Sequence, residues 1–167
     1  MTALIIRPER ADDRAAIHDL TRRAFAPMPF AAGDEQDLID QLRDAGALTI
    51  SLVAERDGII VGHAAFSPAF AADRSPGWYA LGPISVEPEC QRQGIGRSLI
   101  AQGVDLLVQR NAAGCVLVGN PAYYSRFGFL PFPHLCPANE PPEYFQILPL
   151  GSPQPDTIIG FHPLFSS

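Results

Sequence analysis

The run Val86-Glu87-Pro88-Glu89-Cys90-Gln91-Arg92-Gln93-Gly94-Ile95-Gly96-Arg97 constrains the fold more than any other stretch of the chain. It reads as the end of a strand, a tight glycine turn and the first turn of a helix. The first N–H groups of a helix have no intrahelical acceptor, and the helix dipole adds partial positive charge there. Such a junction suits a phosphate or pyrophosphate without any metal. A P-loop is excluded, because its Gly-Lys-Ser/Thr ending needs a lysine and all 12 basic residues here are arginines. A dinucleotide fingerprint is excluded as well. The third glycine of G-x-G-x-x-G is missing after Gly94-Ile95-Gly96, and the motif lies mid-chain rather than after a first strand.

A second segment follows downstream. The apolar run Cys115-Val116-Leu117-Val118-Gly119 reads as a buried strand, and Asn120-Pro121-Ala122-Tyr123-Tyr124-Ser125-Arg126-Phe127-Gly128-Phe129 contains Tyr-x-x-x-Gly-Phe. Gln91-x-x-Gly94-x-Gly96 resembles the Q/R-x-x-G-x-G/A pyrophosphate loop of the GCN5-related N-acetyltransferases, the GNAT superfamily. In that superfamily a strand, a short tyrosine-bearing helix and Gly-Phe follow the loop in this order. Leu81-Gly82-Pro83-Ile84-Ser85-Val86 and the proline-rich end resemble the YhbS-like subgroup.

The resemblance implies an α/β GNAT fold in one domain over 1–167. Its single mixed, mostly antiparallel central sheet would have about seven strands, be flanked by about four helices, and splay between the fourth and fifth strands. It implies acetyl-CoA as cosubstrate and direct transfer of the acetyl group to an amine, most simply a small molecule. It also implies which residues meet the cofactor. Main-chain N–H groups of Gln93, Gly94, Gly96 and Arg97 would hold the pyrophosphate, in a loop that also includes Gln91 and Ile95, with Arg92 or Arg97 adding charge. The backbones of Ile84 and Val86, around Ser85, would pair with the pantetheine arm as an added strand pairs with an edge. Tyr124 would be the general acid toward the leaving thiolate, and Tyr123 is its rival. Asn120 would bond the pantetheine or cap the short helix. For the general base the candidates are Glu35, which precedes Leu38-Ile39 in the helix pair of the acceptor wall, and His63, on a strand near the sheet centre. An ordered water chain is the third option. Two other functions stay open: a non-catalytic CoA-binding or sensing module, and an acyltransferase with another acyl donor or a protein acceptor.

Composition agrees with one folded domain. The chain has 167 residues, 47% of them hydrophobic and 18% charged, enough to bury a core and too apolar for disorder. A formal charge of −6 disfavours nucleic acid and permits a cationic acceptor. Cys90, Cys115 and Cys136 form no disulfide framework, with Cys115 expected in the core. His18, His63, His134 and His162 are scattered, so no metal site is expected. The N-terminus shows no signal peptide and no segment approaches a membrane span, which makes the cytoplasm the expected compartment.

Along the chain, Leu4–Arg7 reads as a strand and Ala11–Phe25 as a helix, with Ala16, Ile17, Leu20 and Ala24 at helical spacing. Asp34–Ala45 reads as a second helix closed by Gly46. Ser51–Glu55 and Ile59–Ser67 form a hairpin over Arg56-Asp57-Gly58. Trp78–Val86 is a strand interrupted at Gly82-Pro83. Gly96–Arg110 is a helix with Ile100, Val104, Leu107 and Val108 on its buried face. Val116–Gly119 is a strand and Ala122–Phe127 a short helix. Segment 131–155 is rich in proline, yet Tyr144–Leu148 and Thr157–Phe161 are apolar enough to be late strands and to offer a surface for a homodimer. Loops Ala26–Gly33 and Pro68–Gly77, with the proline-rich end, are the expected acceptor wall.

Overall fold

The computed structural model describes residues 3–29, 31–151 and 154–166. Phe30 of the expected acceptor loop, and Ser152 and Pro153 of the proline-rich segment, lie outside the described residues. Nine strands occur among the described residues: β1 (Ile5–Pro8), β2 (Ile50–Arg56), β3 (Ile59–Pro68), β4 (Phe70–Ala71), β5 (Trp78–Val86), β6 (Gly114–Val118), β7 (Leu130–Pro131), β8 (Phe145–Pro149) and β9 (Ile159–Gly160). The α-helices are α1 (Arg14–Phe25), α2 (Glu35–Asp44), α3 (Ile95–Gln109) and α4 (Pro121–Tyr124). Seven strands form the main sheet in the order β1-β2-β3-β5-β6-β8-β7, and β4 pairs with β9 in a separate two-stranded sheet. Within the main sheet β5 runs parallel to β6, whereas β1–β2, β2–β3, β6–β8 and β7–β8 are antiparallel.

The chain divides into two compact units, Met1–Phe66 with Gly82–Val104, and Ser67–Leu81 with Asp105–Ser167. In the first, the expected hairpin forms, with both turn residues left-handed (Asp57 φ 56°, Gly58 φ 74°). This is the turn whose twist matches that of the strands it joins. Ile17 of α1, Ile39 of α2 and Val53 of β2 pack together, with Leu48 and Ile60 against them. Buried Ile17, Leu20, Thr21 and Ala24 mark the inner stripe of α1. Ala16 is exposed, contrary to expectation, because it falls beyond the edge of that stripe, about 100° round the helix from Ile17, while Thr21 lies inside it and satisfies its Oγ1 on the Ile17 carbonyl at 2.7 Å. On the α3 side of the hairpin, Gly62 permits close approach. A Cβ there would lie 2.8 Å from Ile95 Cγ2 and 3.0 Å from Leu99 Cδ1. Along α3 the buried positions are Ile95, Leu99, Ile100 and Leu107. Val108, expected on this face, is 53% exposed. It lies about 100° round the helix from Leu107, outside the stripe that Leu99 and Leu107 define.

In the second unit, Trp78, Ala80, Val116, Leu135, Phe145, Ile147 and Ile159 share a core. The register of β5 with β6 runs from Trp78↔Gly114 to Ala80↔Val116 and ends before Gly82-Pro83. The extended strand continues through Gly82-Pro83 to Val86, so the interruption expected there lies in the pairing with β6 and not in the strand itself. The strand expected at Val116–Gly119 begins earlier, at Gly114, and the helix expected at Ala122–Phe127 is α4 followed by a 3-10 turn over Ser125–Phe127. Of the two late strands, Tyr144–Leu148 becomes β8, whereas Thr157–Phe161 reduces to β9, paired with β4 rather than with the main sheet. Residues 145–148 and Ile159 are buried, so of the two expected late strands it is Tyr144 and Ile158, 48% and 47% exposed, that keep apolar surface outside the core. Exposed Phe70, Tyr144 and Ile158 lie in the same unit.

Candidate cofactor site and catalytic residues

The glycine loop lies in the first unit, between β5 and α3. Glu87 donates its N–H to the Val61 carbonyl at 2.8 Å, which fixes where the strand ends. A 3-10 turn over Pro88–Cys90 follows, and Gln91 reaches back to the Val86 carbonyl at 3.4 Å. Arg92 and Gly94 both have positive φ, 64° and 83°. Alternating backbone handedness of this kind turns successive N–H groups toward one concavity. The first bond at this end of α3 runs from Ser98 N–H to the Gly94 carbonyl at 3.1 Å. Among the described residues, the main-chain N–H groups from Gln91 to Arg97 have no acceptor within the protein. A Cβ built at Gly94 would point into open space. A run of unclaimed donors at the start of a helix is what an anion with several oxygens requires.

On β5, Ile84 and Val86 are half-buried, and Ser85 between them points inward, 2% exposed, with no partner for its Oγ among the described residues. Glu35 opens α2 and is half-buried. Its carboxylate accepts the N–H groups of Ala32 at 2.9 Å and Gly33 at 3.1 Å, closing the loop before the helix. Both of its oxygens are therefore engaged by the backbone. His63 is fully buried. Its Nε2 meets Ser51 Oγ at 2.7 Å, and Ser51 in turn donates to Glu9. Glu9 is held by Arg43 at 2.7 and 2.9 Å. Desolvation lowers the His63 pKa to about 4, so its imidazole is neutral at pH 7. Burial pushes Glu9 up, but Arg43 and Ser51 outweigh it and hold its carboxyl below the ordinary range. Sequence reasoning missed this four-residue chain. Glu9 and Arg43 stand 34 residues apart, with no local signal joining them.

The second unit carries Asn120 and Tyr124. Asn120 Oδ1 accepts the Ala122 N–H at 3.0 Å, so the residue caps α4. Its amide NH₂ is left over as a donor. The half-buried ring of Tyr124 stands edge-on to Tyr123 at 5.0 Å and to Phe129 at 6.0 Å. Desolvation, then the neighbouring Tyr123, pushes its phenol up to about 12. The phenol is therefore protonated at neutral pH, the state a hydrogen-bond donor needs. Tyr123 packs on Phe127 at 5.4 Å and under the Arg126 guanidinium at 5.9 Å. Cys115 is fully buried and its thiol is pushed up by burial, while Cys90 and Cys136 are partly exposed. No group of three or more His, Cys, Asp or Glu among the described residues is arranged to hold a metal ion.

The model of the acetyltransferase (GNAT) family matches residues 14–129. The chain belongs to the GNAT acetyltransferase family. The matched segment contains the glycine loop, Asn120 and Tyr124 of this GNAT protein. It is similar to the uncharacterized N-acetyltransferase YhbS of Escherichia coli K12, 37% identical over 127 residues, 75% of this chain and 73% of that protein. Among solved structures it is similar to a GNAT family acetyltransferase from Brucella melitensis in complex with acetyl-CoA. Identity is 42%, the TM-score is 0.87, and 98% of each chain is covered. It is also similar to Escherichia coli YhbS in complex with CoA, at 31% identity and a TM-score of 0.90, covering 100% of this chain and 94% of that one. The mixed α/β fold with a mostly antiparallel seven-stranded sheet is thus that of GNAT enzymes. No helix among the described residues is long and apolar enough to cross a membrane.

Proposed function

We propose that this chain transfers the acetyl group of acetyl-CoA directly to a primary amine of a small molecule, acting as one domain over 1–167. The observation that carries this reading is the row of unclaimed N–H groups at Gln91–Arg97, within a segment matched by the acetyltransferase family. Acetyl-CoA supplies the thioester and, through its phosphates, the anion that these donors suit. Gln93, Gly94, Gly96 and Arg97 hold the pyrophosphate through their N–H groups, Gln91 and Ile95 belong to the same cradle, and Arg92 adds charge. Ile84 and Val86 pair with the pantetheine amides on either side of Ser85. Asn120 offers its NH₂ to the same arm while its oxygen caps α4.

Tyr124 donates a hydrogen bond, and finally its proton, to the sulfur as the C–S bond breaks and the C–N bond forms. Holding amine and thioester together supplies several orders of magnitude by orientation alone, so no acyl-enzyme is needed. The amine loses its proton to water rather than directly to the candidate bases. His63 is fully buried and Glu35 is engaged by Ala32 and Gly33. Glu35 instead shapes the loop against which the acceptor rests. The net charge of −6 favours a cationic acceptor. Three free cysteines suit a reducing cytoplasm.

The same burial of His63 and engagement of Glu35 favour a second reading, a CoA-binding module without turnover. Release of CoA thiol from acetyl-CoA across a panel of small primary amines separates the two. Amine-dependent release supports transfer; saturable binding with no release by any amine, longer acyl donor or peptide amine supports the module. Size-exclusion chromatography reads whether exposed Phe70, Tyr144 and Ile158 support a homodimer.

A further inference from the structure

Arg56 ends β2, immediately before the Asp57–Gly58 turn. The register of the hairpin slips between Ala54 and Glu55, a bulge that increases the twist toward its tip. Side-chain alternation places Arg56 on the face of Ala54, the face against which α3 packs through Gly62. From there Arg56 Nη1 donates to Gln93 Oε1 at 3.0 Å, a contact 37 residues apart in sequence. A guanidinium has five N–H donors, and this bond uses one. Among the described residues no carboxylate lies within ion-pair distance of Arg56, Arg92 or Arg97. Arg10 apart, the other arginines of that unit (Arg7, Arg14, Arg22, Arg23 and Arg43) are ion-paired. In a chain of net charge −6, uncompensated guanidinium groups thus gather at the glycine loop.

We propose that Arg56 is an anion-contacting residue of the cofactor site. Tethered by Gln93, it directs its remaining N–H groups to a phosphate oxygen of acetyl-CoA. This rests on the reading of Gln91–Arg97 as the phosphate loop. The cofactor carries such oxygens in its pyrophosphate and in its ribose 3′-phosphate, and a planar guanidinium suits either.

Calorimetric titration of native protein, Arg56→Gln, Arg56→Lys and Gln93→Ala with acetyl-CoA and its 3′-dephospho form tests this, with thermal melting as the folding control. Arg56→Gln should weaken acetyl-CoA binding about tenfold or more, as expected for loss of a charge-assisted bond. Arg56→Lys should restore part of it, and Gln93→Ala, which keeps its N–H, should lose less than Arg56→Gln. If the 3′-phosphate is the partner, native protein prefers acetyl-CoA over the dephospho form and Arg56→Gln erases that preference. If the pyrophosphate is the partner, Arg56→Gln weakens both ligands equally. Native affinity of folded Arg56→Gln for both ligands overturns the proposal while leaving the loop reading intact, provided Gly94→Trp abolishes binding. A Gln93→Ala loss equal to that of Arg56→Gln overturns direct contact. No binding by native protein overturns the loop reading itself and the proposal with it.

Discussion

The ring of Tyr124 occupies the space that a side chain on Gly119 would need: a Cβ there would lie 2.6 Å from Tyr124 Cε2 and 3.1 Å from Cδ2. The end of β6 thereby seats the proposed general acid. Gly119 is itself held from β8, since Gln146 Nε2 donates to its carbonyl at 2.9 Å. Gly119→Ala should push the ring off its site, costing about 1–3 kcal/mol of stability as overpacking does. Turnover should fall further than that loss of stability explains. Melting curves alongside kcat on folded protein check this; unchanged kcat would show that the ring position is immaterial.

Tyr124→Phe keeps the ring and removes the donor. Both kcat and kcat/KM should drop, by about a hundredfold or more for a group acting in general-acid catalysis, with acetyl-CoA affinity held within about twofold. A variant that loses affinity instead would make Tyr124 a binding residue.

His63 gives stability a pH signature. Its folded pKa of about 4 lies below the ordinary value of 6.5, so between these values the unfolded chain binds more protons. Stability associated with neutral His63 is therefore present above pH 6.5 and is lost as pH falls toward 4, by about 3 kcal/mol at most. Glu9, held below its ordinary range, acts in the same direction at lower pH. Urea unfolding between pH 4 and 7 should show this slope, and His63→Gln should flatten it even at lower overall stability. An equal slope in the variant would assign it to other groups.

Glu35→Gln tests the division between base and loop support. Loss of the charged acceptor for Ala32 and Gly33 should cost about 0.5–2 kcal/mol, the range for a lost helix cap. It should raise the acceptor KM while leaving a residual kcat and native acetyl-CoA affinity. Loss of kcat with unchanged KM would return Glu35 to the role of base.

How much of this was legible in the sequence follows from the range of each interaction. The glycine loop and the Asp57–Gly58 hairpin are local: Gly94 and Gly58 supply left-handed backbone within a few residues of the elements they join. The order of strands, α4 and Tyr124 came from family resemblance. The two-residue strands β4 and β7 were missed because nothing in so short a segment specifies pairing; β7 exists through Leu130↔Ile147 and Pro131↔Gln146. The inner face of α3 was misplaced at Val108 because helical spacing alone does not fix the centre of the stripe. That centre is set by Gly62, whose missing side chain admits Ile95 and Leu99. His63 as a base was an argument from residue type. Its neutral, buried state depends on Glu9, Ser51 and Arg43, which only the fold brings together.

The central claim is that Gln91–Arg97 holds the phosphates of acetyl-CoA, and calorimetric titration of native protein and Gly94→Trp tests it most directly. Trp at a position of φ 83°, within the run of unclaimed N–H groups and with no atom within 4 Å of its Cβ to hold it back, should block the cradle. Micromolar binding by the native protein (about −8 kcal/mol) that is lost in a folded Gly94→Trp variant is the predicted result. Equal binding by both proteins would contradict the site, and no binding by either would contradict acetyl-CoA as the cosubstrate.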